Sequence, residues 1–101
     1  EFRRVLFRSN GDFTKEQLDN LIDKFGKAQV YLVNTRVPRS YESHVNELMA
    51  KAAKNKKNVT LIDWYSRSKG HTEYFAPDGI HLENDGVEAL TDEILKNIKK
   101  K

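Results

Sequence analysis

The chain has 101 residues, 18 basic and 15 acidic, for a net charge of +3 with histidine neutral, and it contains no cysteine. That length supports one modest core, the absence of thiols excludes a disulfide-stapled scaffold and thiolate metal sites, and no run approaches the roughly 20 apolar residues needed to cross a bilayer. The excess charge is local. Arg3, Arg4 and Arg8 against Glu1 leave residues 1–9 at +2, and Lys99, Lys100 and Lys101 form a basic tail. A basic face with interleaved aromatics or a known motif would point to nucleic acid; neither is present, so nucleic acid is not an expected partner.

Residues 1–9 look foreign. Glu1-Phe2 is what a common cloning site encodes, and Arg3 to Ser9 show no capping or turn logic leading into Asn10. The expectation is a linker- or adapter-derived leader, with native sequence over 10–101. The competing reading is a short edge strand with Val5-Leu6-Phe7 as its apolar part.

From Asn10 onward the punctuation is regular. Thr14 and Gln17 form a capping box, Phe13 can staple onto Leu18, and Leu18, Leu21, Ile22 and Phe25 recur at helical spacing until Gly26 ends the helix. Ala28 to Val33 is a short β-branched and aromatic run that predicts a buried strand. Asn34 to Arg39 is the loop leaving it. Ser40 is expected to cap a second helix with Tyr41, Val45, Leu48, Met49 and Ala52 on one face, closed by the polar run Lys54 to Asn58. Val59 to Ile62 predicts a second strand ending at Asp63-Trp64, and Asn84 is expected to cap a last helix with Val87, Leu90, Ile94 and Ile98 on its apolar side.

Helices alternating with short apolar strands imply an α/β fold: a parallel sheet with helices on both faces. In such sheets the functional crevice lies outside the C-terminal strand ends. That rule brings Asn34, Arg36, Trp64 and the turn Pro77-Asp78-Gly79-Ile80-His81-Leu82 to one rim. Asp78 and His81 are the candidate catalytic pair, because a carboxylate beside an imidazole fixes the ring tautomer and stabilises the imidazolium formed when the ring takes a proton. Pro77, Asp78 and Gly79 suit a tight turn that can bring the two side chains together. His44 and His71 read as surface residues, and no spacing suggests a metal site.

Asp78-Gly79-Ile80-His81-Leu82 resembles the last signature block of the SGNH (GDSL-like) hydrolases, and Ser9-Asn10-Gly11 resembles the tail of their asparagine block. The stretches Val30 to Ser40 and Val59 to Trp64 are similar to the extracytoplasmic C-terminal domain of bacterial peptidoglycan O-acetyltransferases, whose membrane half is of the acyltransferase-3 family. The resemblance covers residues 10 to about 98. It implies the C-terminal part of a three-layer α/β/α, flavodoxin-like domain and a Ser-Asp-His mechanism. His81 would be the general base, Asp78 its orienting group and Asn10 an oxyanion donor. Acetyl would come from a donor through the membrane acyltransferase domain and pass to a muramoyl hydroxyl of a peptidoglycan strand, on the extracytoplasmic side of the bacterial membrane, with no cofactor. The Gly-Asp-Ser nucleophile block of that family does not occur in this sequence. Ser40 reads as a helix cap, Ser43 as a helix residue, and Ser66 and Ser68 lie in a polar stretch without a nucleophile elbow; none is a natural substitute. The expectation is therefore a fragment, inactive by itself. Two alternatives remain: an acetylesterase of carbohydrates or lipids using the same pair with water as acceptor, and a non-catalytic module binding anionic wall polymers through Lys54, Lys56, Lys57 and the C-terminal lysines.

Overall fold

A computed structural model describes residues 4–8 and 11–99. Three strands, β1 (Arg4–Arg8), β2 (Gln29–Val33) and β3 (Val59–Ile62), alternate with helices α1 (Lys15–Lys24), α2 (Glu42–Asn55), α3 (Trp64–Arg67) and α4 (Asn84–Lys99). The sheet is wholly parallel in the order β1-β2-β3. The α/β class expected from the alternation is what forms.

The side-chain alternation of β2 separates two cores. Val30 and Leu32 point to one face, where Leu18 and Ile22 of α1, Met49 and Ala52 of α2 and Val59 close over them. Tyr31 and Val33 point to the other, against Ile62, Trp64, Tyr74 and the α4 residues Ala89 and Leu90. A strand covered on both faces must be apolar throughout, and Val30 to Val33 are all buried.

Local chemistry explains most boundaries. The capping box at α1 is complete: Gln17 N donates to Thr14 Oγ1 at 3.1 Å and Thr14 N to Gln17 Oε1 at 2.9 Å. Phe25 caps the other end, and Gly26 (φ 58°) takes the left-handed conformation that turns the chain into β2. The start of α2 departs from the sequence reading. Ser40 does not cap it; the helix begins at Glu42 with Tyr41 at the N-cap position and no side-chain capping bond there. Instead the Glu42 carboxylate accepts from Val37 N at 2.8 Å and ties the incoming loop to the first turn. On α4 the buried stripe runs through Gly86, Ala89 and Leu90, with Ile94 and Ile98 partly covered, and Val87 is half exposed rather than packed.

Residues 4–8 occupy the edge-strand position that Val5-Leu6-Phe7 permits, pairing Val5 with Val30 and Phe7 with Leu32. Ser9 and Asn10 lie outside the described residues, as do Lys100 and Lys101.

Candidate active site

The candidate pair is built by a short loop between Phe75 and Leu82, which form an isolated antiparallel bridge. Gly79 N donates to Ala76 O at 2.9 Å, making a turn with Pro77 and Asp78 at its centre, and Ala76 N donates to His81 O at 2.8 Å to close it. Gly79 sits at φ 73°, a conformation costly for a residue bearing a Cβ.

Inside this turn the Asp78 carboxylate does two jobs. Its Oδ1 accepts from the backbone N–H groups of Ile80 (2.8 Å) and His81 (3.0 Å), and its Oδ2 lies 2.5 Å from His81 Nδ1. The His81 hydrogen bond foremost, then the two backbone donors, hold the Asp78 carboxyl down at about 2. An ionised Asp78 assigns the ring proton to Nδ1 and leaves Nε2, on the opposite side of the imidazole, as the basic nitrogen. The His81 side chain is 79% exposed.

The other expected rim residues are arranged differently. Asn34 is buried at the end of β2 and acts as a strut: its Nδ2 donates to Asp63 Oδ1 at 2.8 Å and its Oδ1 accepts from Tyr65 N at 2.7 Å. Burial works against the Asp63 charge, yet the bonds from Asn34 and Ser66 keep its carboxyl below the usual range. Trp64 is turned into the core, stacked on Tyr74 with ring centroids 5.8 Å apart, not onto the rim. Arg36 stays near the surface but is committed to α3, donating to Ser68 Oγ and Tyr65 O and lying 4.1 Å above the Tyr65 ring. Asn10, the expected oxyanion donor, lies outside the described residues. Ser66 Oγ is bound to Asp63 and Ser68 Oγ to Trp64 O, which suits neither to nucleophilic attack. His71 pairs with Glu73 and stacks on Tyr74, and among the described residues no cluster of three or more metal-ligating side chains forms.

Beside the pair runs an open groove of about 450 Å³ between the loop after β2 and the Asp78 turn, lined by Arg36, Val37, Pro38, Phe75, Ala76 and Gly79, among others. The two loops touch at Pro38, whose Cγ would lie 3.1 Å from a Cβ on Gly79. Sequence reasoning missed this contact, and it missed Asn46, whose side-chain amide brackets Thr35. Thr35 N donates to its Oδ1 and its Nδ2 donates to Thr35 O, both at 2.8 Å. The only signal was a polar residue one position after Val45 on the buried side of α2. Of the lysines of the polymer-binding alternative, Lys56 lies 4.0 Å from Asp23, and Lys100 and Lys101 lie outside the described residues.

No family model matches the chain. It is 71% identical over 93 residues to a protein of Staphylococcus aureus (strain COL) provisionally named an O-acetyltransferase, and 70% identical over 93 residues to a counterpart in strain MW2. It is 57% identical over 91 residues to O-acetyltransferase OatA of Staphylococcus aureus (strain NCTC 8325 / PS 47). These alignments take in 90–92% of this chain but 15% of each relative. The chain is thus a close homologue of one segment of staphylococcal O-acetyltransferases, spanning 15% of their length.

Proposed function

We propose that the chain is the Asp-His portion of an SGNH-type O-acetyltransferase that acetylates a muramoyl hydroxyl of peptidoglycan at the outer face of the bacterial membrane. The observation that carries this reading is the 2.5 Å approach of Asp78 Oδ2 to His81 Nδ1, with the rest of the imidazole open to solvent. The names of the 57–71% identical relatives support the acetyl-transfer chemistry.

In this reading a serine from another part of the parent protein attacks the acetyl carbonyl. Its hydroxyl proton passes to His81 Nε2, and the imidazolium returns that proton to the departing donor oxygen. The acceptor hydroxyl then gives its proton to Nε2 and attacks the acetyl-serine, and the serine oxygen leaves with the proton. Asp78 holds the ring and its tautomer through both halves. Asn10 would donate its side-chain amide to the oxyanion, a role worth about 10²–10³ in rate at comparable sites. Residues 1–9 are read as a foreign leader, which genomic sequence upstream of Asn10 would test; an identical nonapeptide there would end that idea. No described helix is long and apolar enough to cross a membrane.

The test is to graft this chain over the matching segment of staphylococcal OatA and measure acetyl transfer and acetate release with and without a glycan acceptor. Acetyl transfer to glycan is expected. Acetate release indifferent to glycan would favour an esterase. His81→Ala should abolish turnover, and Asp78→Asn should lower kcat by about 10⁴ with little change in KM, because it disturbs the tautomer rather than the shape. Near-normal turnover in His81→Ala would overturn the assignment.

A further inference from the structure

We infer that Asn46, on α2, is a positioning residue for the Asp78–His81 pair, acting through the loop that leaves β2. The route is a series of contacts. Asn46 holds Thr35 by both its backbone N–H and its carbonyl at 2.8 Å, as a neighbouring strand would. Thr35 is buried at the end of β2, where the sheet's ladder gives way to loop. Two residues on, Glu42 of the same helix takes Val37 N at 2.8 Å. Together they fasten the backbone just before Pro38, and Pro38 lies against Gly79, the residue between Asp78 and the Ile80 and His81 N–H groups that Asp78 binds.

Physical chemistry makes this consequential. Thr35 N–H and C=O are buried backbone groups, and removing their partner leaves both unsatisfied. The backbone then has reason to move toward water, and Pro38 moves with it. Gly79 has no side chain of its own to hold its place, so the turn shifts toward the space Pro38 leaves. The His81 ring is largely exposed and has little packing to resist a shift of its backbone. Displacements of about 1 Å in a catalytic group can cost about 10² in rate, so a clamp remote from the reacting atoms can govern turnover without touching substrate.

This inference deepens the proposed reaction and rests on it only for its kinetic consequence; the mechanical link is testable in the chain itself. Amide exchange and ¹H–¹⁵N shifts of Ile80 and His81 should be measured in the 101-residue chain, in Asn46→Ala, in Pro38→Ala and in the exposed control Lys51→Ala. Asn46→Ala and Pro38→Ala should both shift the two amides and speed their exchange by about tenfold or more, with Lys51→Ala unchanged. Pro38 is exposed, so its variant is expected to fold even if Asn46→Ala does not. In the OatA graft, kcat should fall about tenfold in each single variant with acceptor KM within about twofold, and the double variant should be no slower than the slower single, since both act along one route. Unmoved Ile80 and His81 amides in Pro38→Ala, or in a folded Asn46→Ala, would overturn the inference. So would multiplicative losses of kcat in the double variant. A graft without acetyl transfer whose amides nevertheless respond would sink the proposed reaction and leave the positioning role standing.

Discussion

Gly86 offers the sharpest prediction about how the site is held. It sits in the first turn of α4, and a Cβ placed there would lie 2.2 Å from the carbonyl oxygen of Tyr74 and 3.0 Å from both its carbonyl carbon and its Cβ. The nearest obstacle is backbone, which cannot rotate aside as a side chain can. That same Tyr74 oxygen accepts the Glu83 N–H at 2.8 Å, so it is fixed from the other side as well. Gly86→Ala must therefore open the α4–Tyr74 contact by roughly 1 Å in a close-packed region. Overpacking of this kind costs about 1–3 kcal/mol, occasionally more, and the rigidity of the obstacle argues for the top of that range. The better helix propensity of alanine returns at most about 1 kcal/mol. A net loss of about 2 kcal/mol corresponds to a fall in Tm of roughly 10 °C for a chain of this size. Thermal unfolding monitored by circular dichroism measures it. Residues 74 and 83 bracket the Asp78–His81 loop, so the variant should also disturb that loop. An unchanged or raised Tm would refute the reasoning, because it would mean that α4 does not approach Tyr74 this closely.

Hydrogen bonding gives two more expected outcomes. Asp78 carries a depressed pKa of about 2; a group depressed on folding contributes its stability above the ordinary carboxylate pKa and loses it as pH falls toward the folded value, so the His81 contact should persist at pH 4 and fail near pH 2. Carboxyl ¹³C titration by NMR checks this, and a midpoint near 4 would contradict the geometry. Asn34→Ala takes away the acceptor of the Tyr65 N–H and one donor to Asp63, which keeps its bonds from Ser66; an unsatisfied N–H costs about 1–3 kcal/mol, and a urea midpoint equal to that of the unsubstituted chain would show that the strut is dispensable.

Much of the frame is legible in the residues. Val59 to Ile62 forms β3 with the expected bounds, and the Thr14–Gln17 box caps α1, because both signals are local and short-ranged. Asp78 and His81 meet for the same reason: their turn is specified by Pro77, Asp78 and Gly79 themselves. What is not legible depends on tertiary contact. A position just past a strand end puts Trp64 at the rim, but Asp63 caps a four-residue helix there and swings the indole onto Tyr74; a helix that short leaves no periodicity to read. Ser40 has the chemistry of a cap, yet the competing Glu42–Val37 bond starts α2 later. Asn34 has the look of a ligand-facing polar residue, and its partners lie 29 and 31 positions away, beyond the range of any local pattern.

The strands lie in the sheet in the order in which they occur along the chain. Pairings span about the same contour each time, Arg4 to Gln29 and Val30 to Val59, so the entropy of closing each loop differs by only about 0.1 kcal/mol. No strand must wait for a later one to be inserted between its neighbours. Assembly can therefore proceed as a zipper of helix-strand repeats, each added to a finished margin. The Asp78–His81 turn, held by its own short-range hydrogen bonds, needs that growing scaffold only to be told which way to face.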